Sequence, residues 1–538
     1  MKIDVLLIRT RSDYLEFAEG FVEPPQGLLA VAAPLIEKGL HVKIIDQRVE
    51  RNWKEQIESI LKEKPICVGM GSMSGPQLYH TMEMAKWVKQ VAPDQVVVLG
   101  GPHVTMSPMQ MIDSPSIDIV VPFEGEVTFL ELVETLANKG DLNQVKGLYF
   151  KNSEGEVIKT AIREGLNVNE LPTQPYDLID IKHYTSNVAG EPSMGFFPDR
   201  GCPHICAFCN VNEYFTTTKT RIMSAENIVK NMRSIAALGV KIIAMGDSNF
   251  LGSVRRIRQL AEILANEDIG LKIKCSGRVD DINRLDDELL LKLRKVGFYA
   301  FQVGIESGSD RMLEFMDKKI MVKDIVSANQ KMKRADIIPL MSFMGGMPGE
   351  GVEDGQKTME LMMQLTDDNP NIRMTNLQLY RLLPGNTKFW QIAEQEYGVK
   401  YPENYEAWYN IWCLGHPWLS EKDKKQFEMW DLMSYFIDHK SVVEYYNRWW
   451  TRLLVPVYSK VVRWRIRNKF YKFMPELAVV KWRRGDKIYY DFYPDTKESD
   501  RKVTPEELLN DKKWQRTRGN SYIKNDYVKG AYANDAIS

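Results

Sequence analysis

Three cysteines, Cys202, Cys206 and Cys209, lie within eight residues, directly after a short apolar segment that is predicted to be a strand. Thiolates are soft ligands that suit iron–sulfur clusters, and four cysteines are their usual complement. Three cysteines leave one iron open to a substrate-like ligand. Because a purely electron-carrying cluster would be fully ligated, an open iron indicates catalysis. The spacing therefore predicts a catalytic [4Fe–4S] cluster.

An alternative is a structural zinc site made of the same cysteines and His204. Closed zinc sites normally combine two pairs of ligands, and the sequence has no second pair. The clustering of the three thiols also favours metal binding over disulfide bonds. Cys67, Cys275 and Cys413 stand among apolar residues, which predicts that they are buried hydrophobic side chains.

The cysteine loop follows the first of six strand–helix units in residues 193–390, which predict a partial (β/α)6 TIM-like barrel. Such folds collect their chemistry at the carboxyl ends of the strands. The expected strands are Met194–Pro198, Lys241–Met245, Leu271–Cys275, Tyr299–Ile305, Ile337–Phe343 and Met374–Leu379. The expected helices lie near 225–238, 254–266, 286–296, 322–335 and 352–366.

The Cx3CxFC motif in this setting resembles that of the radical S-adenosylmethionine (SAM) superfamily. The resemblance implies that the three cysteines bind three irons while SAM chelates the fourth. One-electron reduction of SAM then releases methionine and a 5′-deoxyadenosyl radical, which abstracts a substrate hydrogen. The protein binds and orients these groups and excludes water.

The same resemblance implies SAM contacts at successive strand ends. The expected residues are Phe208, Gly246, Asp247, Arg278, Glu306, Ser307 and Gly345. Asp247 would accept from the SAM ammonium, Arg278 would pair with its carboxylate, and Glu306 or Ser307 would reach the ribose. The segment around Asp247 departs from the Gly-Gly-Glu that is common in this superfamily. No further catalytic residue is assigned.

Residues 1–150 also alternate strands and helices, which predicts a doubly wound parallel sheet. The expected strands are Ile3–Ile8, His41–Ile45, Ile66–Met70, Val96–Leu99 and Ile117–Val121. Helices are expected near 26–38, 52–62, 76–91 and 126–138. A ligand would bind outside the carboxyl ends of these strands. Residues 151–192, together with a hairpin that begins at Leu148, are expected to be a linker between domains.

In order and spacing this domain resembles the cobalamin-binding domain of a class of radical SAM enzymes. The resemblance covers residues 1–390 and implies cobalamin contacts at Pro25, Ser72, Met73, Ser74, Gly100, Gly101, His103, Glu124, Gly125 and Glu126. The chain has no Asp-x-His-x-x-Gly motif, so cobalt would lack the lower histidine ligand of that motif. His103 is expected to shape the loop around the nucleotide tail, and Glu124 and Glu126 either to contact the cofactor or to cap the next helix.

Together the two resemblances imply radical transfer of a methyl group from cobalamin to an unactivated carbon, with a second SAM restoring the methyl group. An alternative is oxidative cyclisation or ring rearrangement without methyl transfer. Both need an external electron donor of the flavodoxin or ferredoxin type. The substrate is expected to be a small molecule or a lipid-like compound.

Residues 391–538 are expected to form a mostly helical substrate or interaction region. Residues 441–487 contain twelve Lys or Arg and three Asp or Glu. In the same segment apolar residues recur at helical spacing (Trp450, Leu453, Leu454, Val457, Val461 and Trp464). One interpretation is an amphipathic helix packed on the barrel. The other is an interfacial anchor on anionic lipid. Trp408, Trp412 and Cys413 are expected in the core or over the barrel mouth.

The composition is that of an ordinary globular protein, with 44% hydrophobic and 27% charged residues and a net charge of −1. This balance argues against a protein that coats nucleic acid, and no nucleic-acid partner is expected. No apolar run approaches the roughly 18 residues that span a bilayer. The expected location is the cytoplasm, with peripheral contact at the inner membrane face through 441–487 as a further possibility.

Overall fold

The computed structural model describes residues 2–11, 23–50, 52–184, 191–410, 414–440, 449–472 and 474. In these residues two sheets form, one of seven strands and one of six, each flanked by helices. The strands are short runs of buried aliphatic residues, and the helices between them bury one face. The predicted α/β fold class is confirmed.

The first sheet is built from strands that match the predicted segments to within two residues at each end, and from a following hairpin. Its strands are β1 (Val5–Arg9), β2 (Val42–Asp46), β3 (Cys67–Gly71), β4 (Val97–Gly100), β5 (Ile119–Val121), β6 (Tyr149–Lys151) and β7 (Val157–Lys159). Its helices are α1 (Gln26–Glu37), α2 (Trp53–Lys62), α3 (Pro76–Val91), α4 (Pro102–Met106), α5 (Pro108–Ile112) and α6 (Glu126–Ala137).

Strands β1 to β5 are parallel and run in the order β2-β1-β3-β4-β5. After β2 the chain crosses to the other side of β1 to form β3. The order of the strands therefore switches between β1 and β3. In open parallel sheets, ligands bind outside the carboxyl ends of the strands at such a switch point. This edge consequently carries the loops after β3, β4 and β5.

The hairpin of β6 and β7 does not belong to a linker, in contrast to the prediction. Strand β6 pairs antiparallel with β5, where Ile119 faces Phe150 and Val120 faces Tyr149. β7 then closes the edge of the same sheet. The buried Tyr149 and Phe150 explain this placement, because they extend the apolar face of the sheet.

The second sheet contains six parallel strands in sequence order. They are β8 (Ser193–Phe196), β9 (Ile242–Met245), β10 (Lys272–Gly277), β11 (Phe298–Glu306), β12 (Ile338–Gly345) and β13 (Arg373–Leu379). The helices are α7 (Ala225–Ala237), α8 (Val254–Asn266), α9 (Val279–Arg284), α10 (Asp287–Lys295), α11 (Asp310–Phe315), α12 (Val322–Arg334) and α13 (Val352–Asp368). This is the predicted partial barrel. Its six-residue helices α9 and α11 were not predicted, because they are too short to show a period.

Polar residues begin several of these helices. The side chains of Ser224, Ser253 and Asp286 accept from the third backbone N–H that follows each of them. These N–H groups would otherwise have no partner within the helix. The helix starts therefore follow from local sequence.

The C-terminal region is mostly helical in its described part, as predicted. Its helices are α14 (Lys388–Tyr397), α15 (Glu421–Ser434) and α16 (Trp449–Asn468), and a 3-10 turn spans Tyr405–Tyr409. Trp412, Cys413, Trp482 and the side chain of Trp450 lie outside the described residues. Among the helices that the structure describes, none is both long enough and apolar enough to cross a bilayer.

Helix α16 packs on the barrel, but not through the apolar stripe that the sequence predicted. Val455, Val462 and Ile466 are buried, and the Ile466 carbonyl accepts from Gln356 of α13. The predicted stripe faces outward instead, with Leu453 63% and Val457 58% exposed. The helix thus has two apolar faces, and the barrel covers only one of them.

Candidate active site

The three-cysteine loop follows β8, and hydrogen bonds to its backbone groups hold it in place. The Cys202 N–H donates to Asn212 Oδ1 at 3.0 Å, and Asn212 Nδ2 donates to the His204 carbonyl at 3.0 Å. The Ala207 N–H donates to the Met316 carbonyl at 2.9 Å. One side chain, Asn212, therefore ties the start of the loop together, and Ala207 fixes its middle to the segment after α11.

The thiols of this loop share an electropositive surrounding. Arg278 Nη1, at the end of β10, lies 3.5 Å from Cys206 Sγ. Partial burial raises the pKa of Cys202, so binding to iron would have to displace its proton. Among the described residues, no three His, Cys, Asp or Glu side chains converge on one ion position. A cubane cluster places each thiolate on a different iron, so its ligands need no single point of convergence.

A charged network continues from Arg278 across the barrel edge. Arg278 Nη2 donates to the Lys318 carbonyl, and Lys318 Nζ donates to Glu306 Oε1 at 2.8 Å. The same ammonium lies 5.6 Å from the centre of the Phe208 ring. Glu306 has a φ of +70°, a strained conformation for a residue other than glycine. The structure thus joins Phe208, Arg278 and Glu306, predicted separately, through Lys318.

Asp247, at the end of β9, is buried and only half satisfied. Its Oδ1 accepts from the Asp199 N–H at 2.9 Å, while Oδ2 has no partner among the residues that the structure describes. Burial, followed by the nearby charge of Asp199, raises the pKa of Asp247. Asp199 itself is paired with Arg256. An unpartnered carboxylate oxygen of this kind can accept from a cation.

Three of the predicted SAM contacts serve packing in this structure. A Cβ at Gly246 would collide with the Phe197 ring, and one at Gly345 would lie 3.1 Å from Leu377 and Phe427. Ser307 is fully buried, with its hydroxyl 3.3 Å from that of Thr358. Packing therefore confines all three of these residues at the carboxyl ends of the barrel strands.

On the first sheet, the loops after β3 and β4 are bonded to each other. The Ser72 N–H donates to the Gly100 carbonyl at 2.9 Å, and the His103 N–H donates to the Ser72 carbonyl at 3.1 Å. Gly101 has a φ of +101°, and a Cβ there would lie 2.8 Å from the Ser72 nitrogen. Gly101 is therefore required by the contact between the two loops. Gly100 is also confined, since its Cβ would lie 3.2 Å from the Val121 carbonyl.

His103 is a buried, neutral side chain at this edge. Its Nδ1 lies 2.9 Å from Ser74 Oγ, and its Nε2 is buried with no partner in the described part of the chain. Burial lowers the pKa of His103 to about 4. Its ring meets the edge of Trp408, which is fully buried beside Trp390. Trp408 is therefore a core residue, between the first sheet and the C-terminal region.

The remaining predicted cobalamin contacts at the edge of the first sheet have different surroundings. Pro25, buried, precedes α1, and Met73 is 58% exposed. A Cβ at Gly125 would lie 3.2 Å from Val31. Glu124 and Glu126 neither cap α6 through their side chains nor point to solvent; both are in ion pairs with arginines of the second sheet's loops.

Sequence reasoning missed several residues that organise the site, among them Asn212, Lys318 and Arg221. Lys318 stands in an ordinary Asp-Lys-Lys segment, Asn212 lies in the 3-10 turn Val211–Tyr214, and Arg221 lies in the irregular segment after it. No periodic or spacing signal distinguishes them. Only their position beside the strand ends shows what they contact.

Comparisons with known proteins agree with this architecture. Residues 197–362 match the radical SAM superfamily, and residues 19–133 match the B12 binding domain. An uncharacterized methyltransferase of Pyrococcus horikoshii is 30% identical over 397 residues, which cover 73% of this chain and 83% of that protein. The chain belongs to the cobalamin-dependent radical SAM family. Its cofactors are accordingly a [4Fe–4S] cluster, SAM and cobalamin, as predicted.

Further proteins similar to this cobalamin-dependent radical SAM enzyme include a cyclase and a methyltransferase of known structure. An anaerobic magnesium-protoporphyrin IX monomethyl ester cyclase of Synechocystis is 26% identical over 378 residues, covering 69% of this chain and 73% of that protein. The structure of the radical SAM methyltransferase TsrM from Kitasatospora setae shares the fold, with a TM-score of 0.61, 19% identity and coverage of 75% and 76%. The predicted class, a cobalamin-dependent radical SAM methyltransferase, is confirmed.

Proposed function

We propose that this enzyme transfers a methyl group to an unactivated carbon between the facing carboxyl edges of its two sheets. One observation carries the proposal. The loop that bears Cys202 is in direct contact with the loop after β5, since Arg200 Nη2 lies 3.1 Å from Glu126 Oε1. Chemistry at the barrel edge and a cofactor at the first sheet would thus share one space.

The residues at the barrel edge fit the cluster and SAM. Cys202, Cys206 and Cys209 would hold the cluster, which with SAM supplies a carbon radical that abstracts hydrogen. The free Oδ2 of Asp247 would accept from the SAM ammonium. Arg278, 3.5 Å from Cys206 Sγ, would pair with the SAM carboxylate in place of Asp280, which its Nε contacts at 2.9 Å.

The residues at the first sheet fit a large neutral ligand. A Cβ at Gly71 would have no neighbour nearer than 4.0 Å, so backbone at this loop is open to close approach. Ser74 and the unpartnered Nε2 of His103 provide neutral hydrogen-bonding groups. Because burial keeps His103 neutral, it would orient a cofactor without placing a charge beside it.

Ring closure without methyl transfer is the second candidate, and the 26% identity to the Synechocystis cyclase supports it. Both reactions begin with the same hydrogen abstraction. They differ in the product, which gains one methyl group in the first case and loses two hydrogens in the second.

The test combines two measurements on anaerobically reconstituted enzyme and its host cells. Reduced enzyme with SAM is expected to release 5′-deoxyadenosine, and cells containing it are expected to hold a metabolite or lipid heavier by one methyl group than cells without it. A product lighter by two hydrogens would identify the cyclase. Absence of SAM cleavage in protein with a full cluster would overturn the proposal.

For partners and location, we propose a cytoplasmic enzyme that receives electrons from an external flavodoxin- or ferredoxin-type donor and touches anionic membrane through α16. The segment 449–472 contains seven Lys or Arg and no Asp or Glu. Its outward face carries Trp449, Leu453, Val457, Val461 and Trp464 at intervals of three or four residues. Exposed apolar residues flanked by cations are typical of interfacial helices. We propose a small-molecule substrate from the cytoplasm or a lipid-like substrate from the membrane.

Sedimentation with vesicles tests the membrane contact. The enzyme is expected to bind vesicles rich in phosphatidylglycerol in a salt-sensitive manner, and Leu453→Asp with Val457→Asp is expected to release it. Val91→Asp, at an exposed apolar residue of α3, serves as the matched control. Binding that survives the double change, or no binding by the parent, would remove this contact.

A further inference from the structure

Two buried ion pairs join the first sheet to the cysteine loop. Arg200 Nη2 lies 3.1 Å from Glu126 Oε1, and Arg221 Nη1 lies 2.7 Å from Glu124 Oε2. None of the four side chains is more than 16% exposed. Each pair links the two loops through a charge-assisted hydrogen bond, and removing one partner would leave the other charge buried and uncompensated.

On the barrel side, the two arginines form one unit. The Arg200 N–H donates to the Arg221 carbonyl at 2.9 Å, and the Arg221 N–H donates to the Arg200 carbonyl at 3.0 Å. Arg200 Nη1 also donates to the Phe197 carbonyl at 2.7 Å. Cys202 follows Arg200 by two residues, so displacement of this unit would displace the first cluster ligand.

On the other side, the two glutamates flank Gly125 at the start of α6. This loop is fixed to its neighbours, because the Phe123 N–H donates to Thr105 Oγ1 at 2.8 Å. Thr105 belongs to α4, the helix that contains His103. A ligand held by the loop after β4 therefore acts on the same backbone that presents Glu124 and Glu126.

We infer that Glu124, Glu126, Arg200 and Arg221 are positioning residues, which transmit cobalamin occupancy at the first sheet to the cysteine loop. This inference rests on the proposed cobalamin site. The four charges form a continuous connection from α4 through the loop after β5 to the residues before Cys202. By thermodynamic reciprocity, a cluster loop ordered in this way also favours cobalamin binding.

Hydrogen exchange of cluster-free protein, with and without hydroxocobalamin, tests the connection without measuring activity. In the parent protein, cobalamin is expected to slow exchange about fivefold or more in residues 197–224 as well as in the loops of the first sheet. In Arg200→Gln/Arg221→Gln, which breaks both pairs without changing a predicted cobalamin contact, the slowing is expected to stay within the first sheet. Glu131→Gln, which breaks an ion pair with Arg163 inside the first domain, is the matched control and should behave like the parent.

Each outcome separates this inference from the proposed function. Cobalamin binding with no slowing in 197–224, or slowing that survives the double change, overturns the inference alone. No cobalamin binding by the parent overturns the proposed site and the inference with it. If the double variant does not unfold cooperatively, Arg200→Met/Arg221→Met/Glu124→Gln/Glu126→Gln, which removes all four charges and leaves none of them buried alone, replaces it with the same expected result.

Discussion

The carboxyl edges of the two sheets share backbone geometry but differ in chemistry. At the barrel edge, Arg278, Lys318 and Glu306 form a charged network beside the cysteines. At the edge of the first sheet, Ser74 and a neutral His103 lie between loops bonded to each other. In both cases the carboxyl ends of parallel strands meet at one edge, and the loop residues there decide what that edge can bind.

This difference matches the ligands that the family implies. SAM has an ammonium and a carboxylate, which need opposite charges close to each other. A corrin presents a broad ring, which needs space and neutral hydrogen-bonding groups. The two edges should therefore respond differently to loss of a ligand, loss of a charge and change of pH.

Loss of a thiol should have the largest effect and should be confined to the barrel edge. Cys206→Ala is expected to reduce 5′-deoxyadenosine release to background and to lower the iron content, because the cluster loses one of its three ligands. Cobalamin binding should remain. Cys67→Ala, at a buried cysteine of β3, is the matched control and should keep both iron and SAM cleavage. Cleavage that persists in Cys206→Ala would contradict the assignment.

Loss of a buried charge should follow in size. Lys318→Met leaves Glu306 without its cation at a site where both side chains are nearly buried, which is expected to cost about 3 kcal/mol in the free energy of unfolding. Denaturant unfolding of the apoprotein measures this. Arg334→Gln, in an exposed pair with Asp287, should change it by less than about 1 kcal/mol. If both changes lowered the free energy of unfolding equally, the Lys318–Glu306 pair would not behave as a buried ion pair.

A fall in pH should destabilise the first sheet through His103, which has no counterpart in the charged network of the barrel edge. The pKa of His103 is about 4 in the folded protein and 6.5 by its ordinary value. The unfolded chain therefore binds a proton first as pH falls, and stability is lost between pH 6.5 and 4, by up to about 3 kcal/mol. His103→Gln should weaken that dependence in urea titrations of the apoprotein. An unchanged pH profile in His103→Gln would show that other groups cause it.

Most of the fold and part of the site could be predicted from the sequence. Strand ends such as those of β3 and β10 were found because short apolar runs bounded by glycine are local signals. Asp247 and Arg278 were predicted as SAM contacts from the family resemblance, because they lie two and three residues after predicted strands. The hairpin after β5 was misplaced, since its pairing with Ile119 depends on a sheet edge that no local pattern describes. Gly101 was predicted to contact cobalamin, and the structure adds a second reason for a glycine there, the close approach of the neighbouring loop.

By itself, the sequence determined the alternation of strands and helices and the spacing of Cys202, Cys206 and Cys209, because both depend on residues close together in the chain. Only the tertiary structure decided which side chains meet across it. Arg221 pairs with Glu124 over 97 residues, and Arg200 with Glu126 over 74. It also decided which apolar face of α16 the barrel covers. Such contacts depend on how whole elements pack, and hydrophobic burial is not directional enough to reveal them in advance.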